Sequence, residues 1–290
     1  MIYNYEVTEQ SLDLEPFAAR HSGDETVSYK KVFGEDIYLS FYYPENYDSK
    51  KKYPAFLFIH GGGWATNQIF EDQGTWKGDH LGCLARYYAD KGFISVSIDY
   101  RLADVKGQKE NYQVIDSCDD CMDAVDFVLD RAEEKGIDLN RVYILGESAG
   151  GHLAAYVTTC YKREGFNFKA SFPINAITDM VSDKWNVRVP LASNHKELSK
   201  IPKDEYAYYM SPLFRITEDI CPVVLIHGSE DFVVPLAHSE KFHEKLTNMG
   251  KECELHIIKD TSHAFLLYEY TSFINSCKIG ISIIDKYLGV

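Results

Sequence analysis

An apolar run of about 18 residues, the length a membrane-spanning helix requires, is missing from this 290-residue chain. Also missing is any cluster of five or more lysines and arginines. The densest basic spot, Lys50-Lys51-Lys52, reads as a solvated turn before a strand, and the formal net charge is −14. Such a surface repels polyanions, so neither nucleic acid nor an anionic membrane is an expected partner. The first residues, Met1-Ile2-Tyr3-Asn4-Tyr5-Glu6, lack the basic segment and apolar stretch of a secretory signal. The seven cysteines, scattered from Cys83 to Cys277, are odd in number, which argues against a disulfide framework. A reducing, cytoplasmic compartment is the resulting expectation. The Cys118-x-x-Cys121 pair lies in a helix-periodic segment with no second Cys/His pair at zinc spacing. No metal and no cofactor are therefore expected.

What is present is the composition of a globular protein, with 45% apolar and 26% charged residues. The 21 Tyr and 16 Phe exceed what a minimal core needs, so some are expected to line a pocket or an interface. Strand patterns at 29–33, 37–43, 55–59, 94–98, 142–145, 170–174, 223–226 and 254–258 alternate with helical patterns at 81–91, 112–135, after Ser148, 236–249 and 270–287. That alternation predicts an α/β fold with a mostly parallel twisted sheet of about eight strands and helices on both faces. The first two strands, joined by Gly34-Glu35-Asp36, read as an antiparallel hairpin. Two stretches break the rhythm: residues 1–26, a polar arm, and residues 176–215, a long irregular insertion of the kind that forms lids or binding loops. With no linker or repeat, residues 1–290 read as one domain.

The chemistry gathers where predicted strands end. The run Val142-Tyr143-Ile144-Leu145 leads into Gly146-Glu147-Ser148-Ala149-Gly150 and then a helix former. A strand-to-helix turn of the form Gly-x-Ser-x-Gly lifts the serine hydroxyl above the sheet and aims a helix N-terminus at it. The flanking glycines are expected to let the backbone take strained angles and to keep side chains from clashing. A serine hydroxyl is a weak nucleophile and needs a base, a group to orient the base, and donors for the oxyanion. His60-Gly61-Gly62-Gly63-Trp64 follows the strand at 55–59 and offers the amides of Gly62 and Gly63, with Ala149 as third donor. His60 reads as a structural pin for the glycine loop. His227-Gly228-Ser229-Glu230-Asp231 supplies the acid; Asp231 is preferred, with Glu230 as the alternative. Asp260-Thr261-Ser262-His263 supplies the base, His263, whereas His256 falls inside a strand and His152 is placed to pack under the turn.

The order Ser148, Asp231, His263 is that of the α/β-hydrolases. Together with Asp99-Tyr100-Arg101-Leu102, Gly151-His152-Leu153-Ala154, Ser211-Pro212 and Val233-Val234-Pro235, these motifs resemble the HGGG-bearing esterase/lipase group of that superfamily, close to hormone-sensitive-lipase-like and acetyl-esterase-like enzymes. The resemblance spans residues 55–265. It implies a serine carboxylesterase with a small-molecule ester as partner, and a structural, bracing role for residues 99–102. Two departures refine it. No long helical cap precedes His60. Trp64 after the glycines is similar to acetyl-xylan/feruloyl-esterase-like and kynurenine-formamidase-like members. Both imply a small acyl group or a carbohydrate ester, with Trp64 and Glu147 assigned to substrate binding. An amide hydrolase such as an arylformamidase is the alternative, and a catalytically silent binding protein a more distant one. A homodimer is compatible with the sequence but not specified by it.

Overall fold

The computed structural model of the chain describes residues 1–8, 22–65, 81–103, 112–182, 202–263 and 274–290. Among these, nine strands build one sheet: β1 (Ile2–Tyr5), β2 (Glu25–Val32), β3 (Glu35–Tyr42), β4 (Tyr53–Ile59), β5 (Ile94–Ile98), β6 (Ile137–Glu147), β7 (Ala170–Ile174), β8 (Val223–Gly228) and β9 (Cys253–Ile258). Their spatial order is β1-β9-β8-β7-β6-β4-β5-β3-β2, parallel throughout except where β3 meets β2 and β5. The helices are α1 (Gly82–Asp90), α2 (Val114–Asp130), α3 (Ala149–Cys160), α4 (Lys203–Tyr209), α5 (Ala237–Asn248) and α6 (Ile274–Leu288).

The central strands read as continuous apolar runs because both of their faces are covered. Along β4, Leu57 and Ile59 pack toward α2 and α3, while Phe56 and Phe58 pack toward α1 and α6. Along β6, Val142 and Ile144 take the first face, and Tyr143 and Leu145 the second. Burying one such side chain contributes about 1.5–3 kcal/mol, and a one-residue slip of register would exchange the side chains of the two cores and mispack both. Much of the aromatic surplus sits on the second face. Phe56 meets Tyr88 edge-on at 4.9 Å between ring centroids and Phe172 at 5.6 Å.

The sheet departs from the sequence expectation at one edge. Residues 2–5, expected in a polar arm, form β1, pairing Ile2 with Leu255 and Tyr5 with Ile258 in parallel register. The Tyr3 ring stacks on His256 at 4.7 Å and the Tyr5 hydroxyl bonds its Nδ1 at 2.8 Å, so His256 is a buried packing residue. The rest of the expected arm includes 9–21, outside the described residues. Within the expected lid, residues 183–201 also lie outside them, and the part after Pro202 is ordered as α4 and a 3₁₀ turn, Pro212–Phe214. α4 is short and follows a proline. Its amphipathic signal, Tyr206 and Met210 on one buried face, is too brief for a periodicity argument.

The segment after β5 ties the sheet to α2. Arg101 lays its guanidinium on the Asp120 carboxylate with two bonds of 2.7 Å and reaches Asp116 at 3.0 Å, while Lys30 binds Asp120 from β2 at 2.7 Å. The Arg101 amide donates to Asp120 as well, at 2.9 Å. Asp120 is fully buried, so Asp120→Ala should destabilise the fold by about 3–5 kcal/mol, because it strands two cations. Urea unfolding at unchanged m-value reads this directly. An unmoved midpoint would mean that Arg101 and Lys30 find water without cost.

Candidate active site

Ser148 sits at the junction of β6 and α3 with φ at 60°, in the left-handed region that a residue with a Cβ rarely adopts. The strain falls on the serine itself, not on the flanking glycines, whose φ angles are not positive. Those glycines supply room. A Cβ on Gly150 would lie 2.1 Å from the Ile59 carbonyl oxygen, and one on Gly146 would lie 2.1 Å from that of Gly150. The Ser148 amide donates to the Ile174 carbonyl at 2.9 Å, and the Ser148 carbonyl accepts from His152 at 2.9 Å. The turn is thus anchored to β7 on one side and to its own helix on the other.

The glycine loop after β4 lies beside this turn. Gly62, Gly63 and Trp64 are all left-handed, with φ of 104°, 62° and 59°. Among the described residues nothing accepts a hydrogen bond from the Gly62 or Gly63 amide. Ala149, first in α3, has no intrahelical acceptor for its own. His60 pins the loop from below. Its ring stacks on Tyr100 at 4.2 Å, Nδ1 meets the Gly61 carbonyl at 2.7 Å and Nε2 meets Asp99 at 3.2 Å. The Tyr100 hydroxyl donates to the His60 carbonyl at 2.8 Å. Residues 99–101 therefore carry the constraint from α2 to the glycine loop.

Trp64 and Glu147, assigned to substrate binding from sequence, are placed elsewhere. The Trp64 indole is 3% exposed and donates to His152 Nδ1 at 3.2 Å. His152 in turn donates from Nε2 to the Met210 carbonyl at 2.8 Å, which links the glycine loop, α3 and the end of α4. The Glu147 side chain is buried on the α1/α6 face, where burial and this neighbouring carboxylate push the Cys277 thiol up to about 12. A tryptophan one residue past the glycines is apolar and large enough to be core, and core it is.

The other two loops are zipped together. The Ser229 amide donates to the Ile258 carbonyl at 2.9 Å, the Glu230 amide to the Thr261 carbonyl at 2.9 Å, and the Asp260 amide to the Ser229 hydroxyl at 3.0 Å. A Cβ on Gly228 would lie 2.3 Å from the Thr261 carbonyl oxygen, so only glycine allows this approach. The result brings three expected residues into line. Ser148 Oγ donates to His263 Nε2 at 2.8 Å, and His263 Nδ1 donates to Asp231 Oδ2 at 2.7 Å. Glu230 is exposed, with no bond to His263 among the described residues. Asp231 Oδ1 accepts the amides of Val233 at 2.9 Å and Val234 at 2.7 Å. Burial alone would raise the Asp231 carboxyl; hydrogen bonds from His227 and His263 outweigh it and hold the group well below the usual carboxylate range.

Asn175 was not anticipated. It follows β7 at φ 44° and accepts the Gly228 amide at 3.1 Å on Oδ1, joining the strand beside the serine turn to the acid loop. An asparagine just past a strand end is the residue that tolerates such an angle, and that was its signal. Among the described residues no group of three or more His, Cys, Asp or Glu is arranged to hold a metal ion. Cys118 and Cys121 are fully buried, and burial pushes both thiols well up.

Residues 39–246, most of the chain, match the BD-FAE family model. The chain belongs to the BD-FAE family. This is an esterase family of α/β-hydrolase fold, and similar solved structures agree with the placement. A thermophilic esterase from Thermogutta terrifontis, with propionate bound, is 25% identical at a TM-score of 0.73, covering 92% of this chain and 93% of its own. The butyrate-bound form of that esterase is 25% identical at a TM-score of 0.71. Among curated proteins, an isoprenylcysteine alpha-carbonyl methylesterase of Arabidopsis thaliana is 26% identical over 80% of this chain. A probable isoprenylcysteine alpha-carbonyl methylesterase of Oryza sativa is 24% identical over 78% of it. The BD-FAE chain described here spans about half the length, 54%, of both plant proteins.

His152 yields a test of how the site is held. Burial lowers its imidazole to about 4, below the roughly 6.5 of an unfolded histidine. The folded state thus favours the neutral ring. Its stabilisation is complete above pH about 6.5 and drains away toward pH about 4, a loss of about 3 kcal/mol. The stability advantage over His152→Gln, followed by urea unfolding, should shrink across that window; an advantage independent of pH would contradict this assignment.

Proposed function

We propose that this protein is a serine carboxylesterase acting on short-chain acyl esters through an acyl-enzyme. The observation that carries the reading is the unbroken relay from Ser148 Oγ to His263 to Asp231, at 2.8 and 2.7 Å. His263 Nε2 takes the serine proton as Oγ attacks the ester carbonyl carbon, and Asp231 keeps the imidazole in the tautomer that can accept it. The carbonyl oxygen becomes an oxyanion beside the amides of Gly62, Gly63 and Ala149. One such donor is worth about 3–4 kcal/mol to the transition state. The imidazolium then protonates the departing alcohol, the C–O bond breaks, and an acyl-serine ester remains. Water, deprotonated by the same His263, attacks that ester and releases the acid and the free serine.

Short acyl groups are favoured by the similarity to an esterase solved with propionate and with butyrate. Small leaving alcohols are favoured by the similarity to methylesterases. Acylated carbohydrates fit the same acyl size. Trp64 is buried, so it favours neither the carbohydrate-ester nor the formamidase-like substrate, and an amide hydrolase remains the alternative reading. The net charge of −14 fits a small-molecule substrate better than a polyanionic one.

Purified protein should turn over p-nitrophenyl acetate with a higher kcat/KM than the C12 ester; equal or better use of C12 would sink the short-acyl claim. Ser148→Ala should lower kcat by about ten-thousandfold or more with the fold intact by circular dichroism. An unaffected rate would remove the serine from the reaction. Asp231→Ala should cost about a thousandfold or more, and Glu230→Ala no more than about twofold, since its side chain is solvated. The reverse ranking would reassign the acid. Faster hydrolysis of N-formylkynurenine than of acetyl esters would favour the amide reading.

A further inference from the structure

His227, the last histidine before the acid loop, is fully buried at the end of β8 and belongs to no part of the reaction above. Its two ring nitrogens have distinct partners. Nε2 faces the Val234 carbonyl at 2.9 Å and lies 3.4 Å from Asp231 Oδ2, the same oxygen that His263 binds. A carbonyl accepts only, so Nε2 carries the hydrogen and donates it to Val234, with Asp231 Oδ2 close beside the same N–H. Nδ1 is then left to accept, and the hydroxyl of Ser239 in α5 lies 2.8 Å from it. The ring is fixed at both ends with no freedom to exchange tautomers. Val234 is held twice, since its amide donates to Asp231 Oδ1 and its carbonyl takes His227. The acid loop is thus closed into a small ring of bonds around the carboxylate. Among the described residues, the titratable groups facing Asp231 are His227 from β8 and His263 from the loop after β9; the one facing His227 is Asp231, its other neighbour being the neutral Ser239 hydroxyl.

We propose that His227 is a positioning residue that shares Asp231 Oδ2 with His263, and that Ser239 holds it in the donating tautomer. The relay then runs Ser239, His227, Asp231, His263, Ser148. This rests on the esterase reading. His227 does two things through the carboxylate. It fixes the rotamer that aims Oδ2 at His263, and it takes up part of the charge that Oδ2 would otherwise present to the imidazolium. Without it, Oδ2 faces His263 alone and stabilises the protonated base more strongly. The base then needs a higher pH to become neutral. Loss of His227 should therefore lower kcat and also move the acidic limb of the pH profile upward, which a residue that merely fills space would not do.

The test uses the full chain with p-nitrophenyl acetate, profiled between about pH 5 and 9, with fluorophosphonate labelling of Ser148 as control. His227→Phe keeps the ring volume and removes both nitrogens. It should lower kcat by about 10- to 100-fold with KM little changed, since a slightly misaimed base costs on that order. The acidic limb should rise by about half a pH unit. His227→Gln, which restores a donor near the Nε2 position, should recover most of the rate and return the limb toward the wild-type pH. A wild-type limb in His227→Phe overturns the proposal, as does a Gln variant as impaired as Phe. Should the Phe variant fail to fold, Ser239→Ala decides: an upward limb with KM unchanged supports the relay, and an unmoved limb overturns it. Wild-type protein that takes no phosphonate on Ser148, with Ser148→Ala still active, would overturn the esterase reading and this proposal with it. Labelled protein with unmoved limbs overturns this proposal alone.

Discussion

Every part of the candidate site depends on how closely the first turn of α3 approaches the ends of β4 and β6. Gly150 lies against the Ile59 and His60 carbonyls, where not even a methyl group fits. That approach forces the chain to reverse within two residues, and Ser148 takes up the reversal in a left-handed conformation. A residue held so costs about 1–3 kcal/mol, supported here by a sheet buried on both faces. The same approach sets Gly61 of the glycine loop against the Glu147 carbonyl and the Ser148 side chain.

The rest of the site is a matter of tying three loops to that turn. Residues 99–101 transmit the rigidity of a buried ion cluster to His60 and so to the glycine loop. Trp64, His152 and Met210 form a second tie beneath the turn. Asn175 and the zipper of Ser229, Glu230, Asp260 and Thr261 fix the acid and base loops against each other. None of these groups needs to touch a substrate. Their common effect is to hold Oγ, Nε2 and Oδ2 in a line before any ligand arrives, which is the preorganisation that acyl transfer requires.

Most of this was legible in the chain because each site residue follows a strong strand signal. Runs such as Ala55 to Ile59 and Val142 to Leu145 are apolar on both faces, and a doubly covered parallel sheet leaves that pattern and no other. Asp231 could be preferred to Glu230 because its loop resembles a His-Gly-x-x-Asp-x-x-Val-Pro pattern, and His263 to His256 because it sits in a polar loop after a strand. What escaped depends on tertiary placement. β1 is a four-residue edge strand whose pairing with β9 lies some 250 residues away in the chain. Of the two roles expected of the flanking glycines, the structure shows the close approach, while the unusual angle falls on Ser148 itself. Trp64 was assigned to the substrate from its resemblance to feruloyl-esterase-like and formamidase-like members, and its packing against the His152 ring depends on tertiary placement. His227 was visible in its motif, but its bond to the Val234 carbonyl and its place beside the carboxylate require the return of the chain at Val234.

The central claim is that Ser148 carries the acyl group between two half-reactions. Rapid mixing with p-nitrophenyl acetate, an acid quench and peptide mapping would test it most directly. The relay predicts a burst of nitrophenol and an acetyl group on the peptide at Ser148, lost when His263 is replaced. Turnover with no burst and no acetyl on that peptide, or an acetyl group carried by another residue, would contradict it.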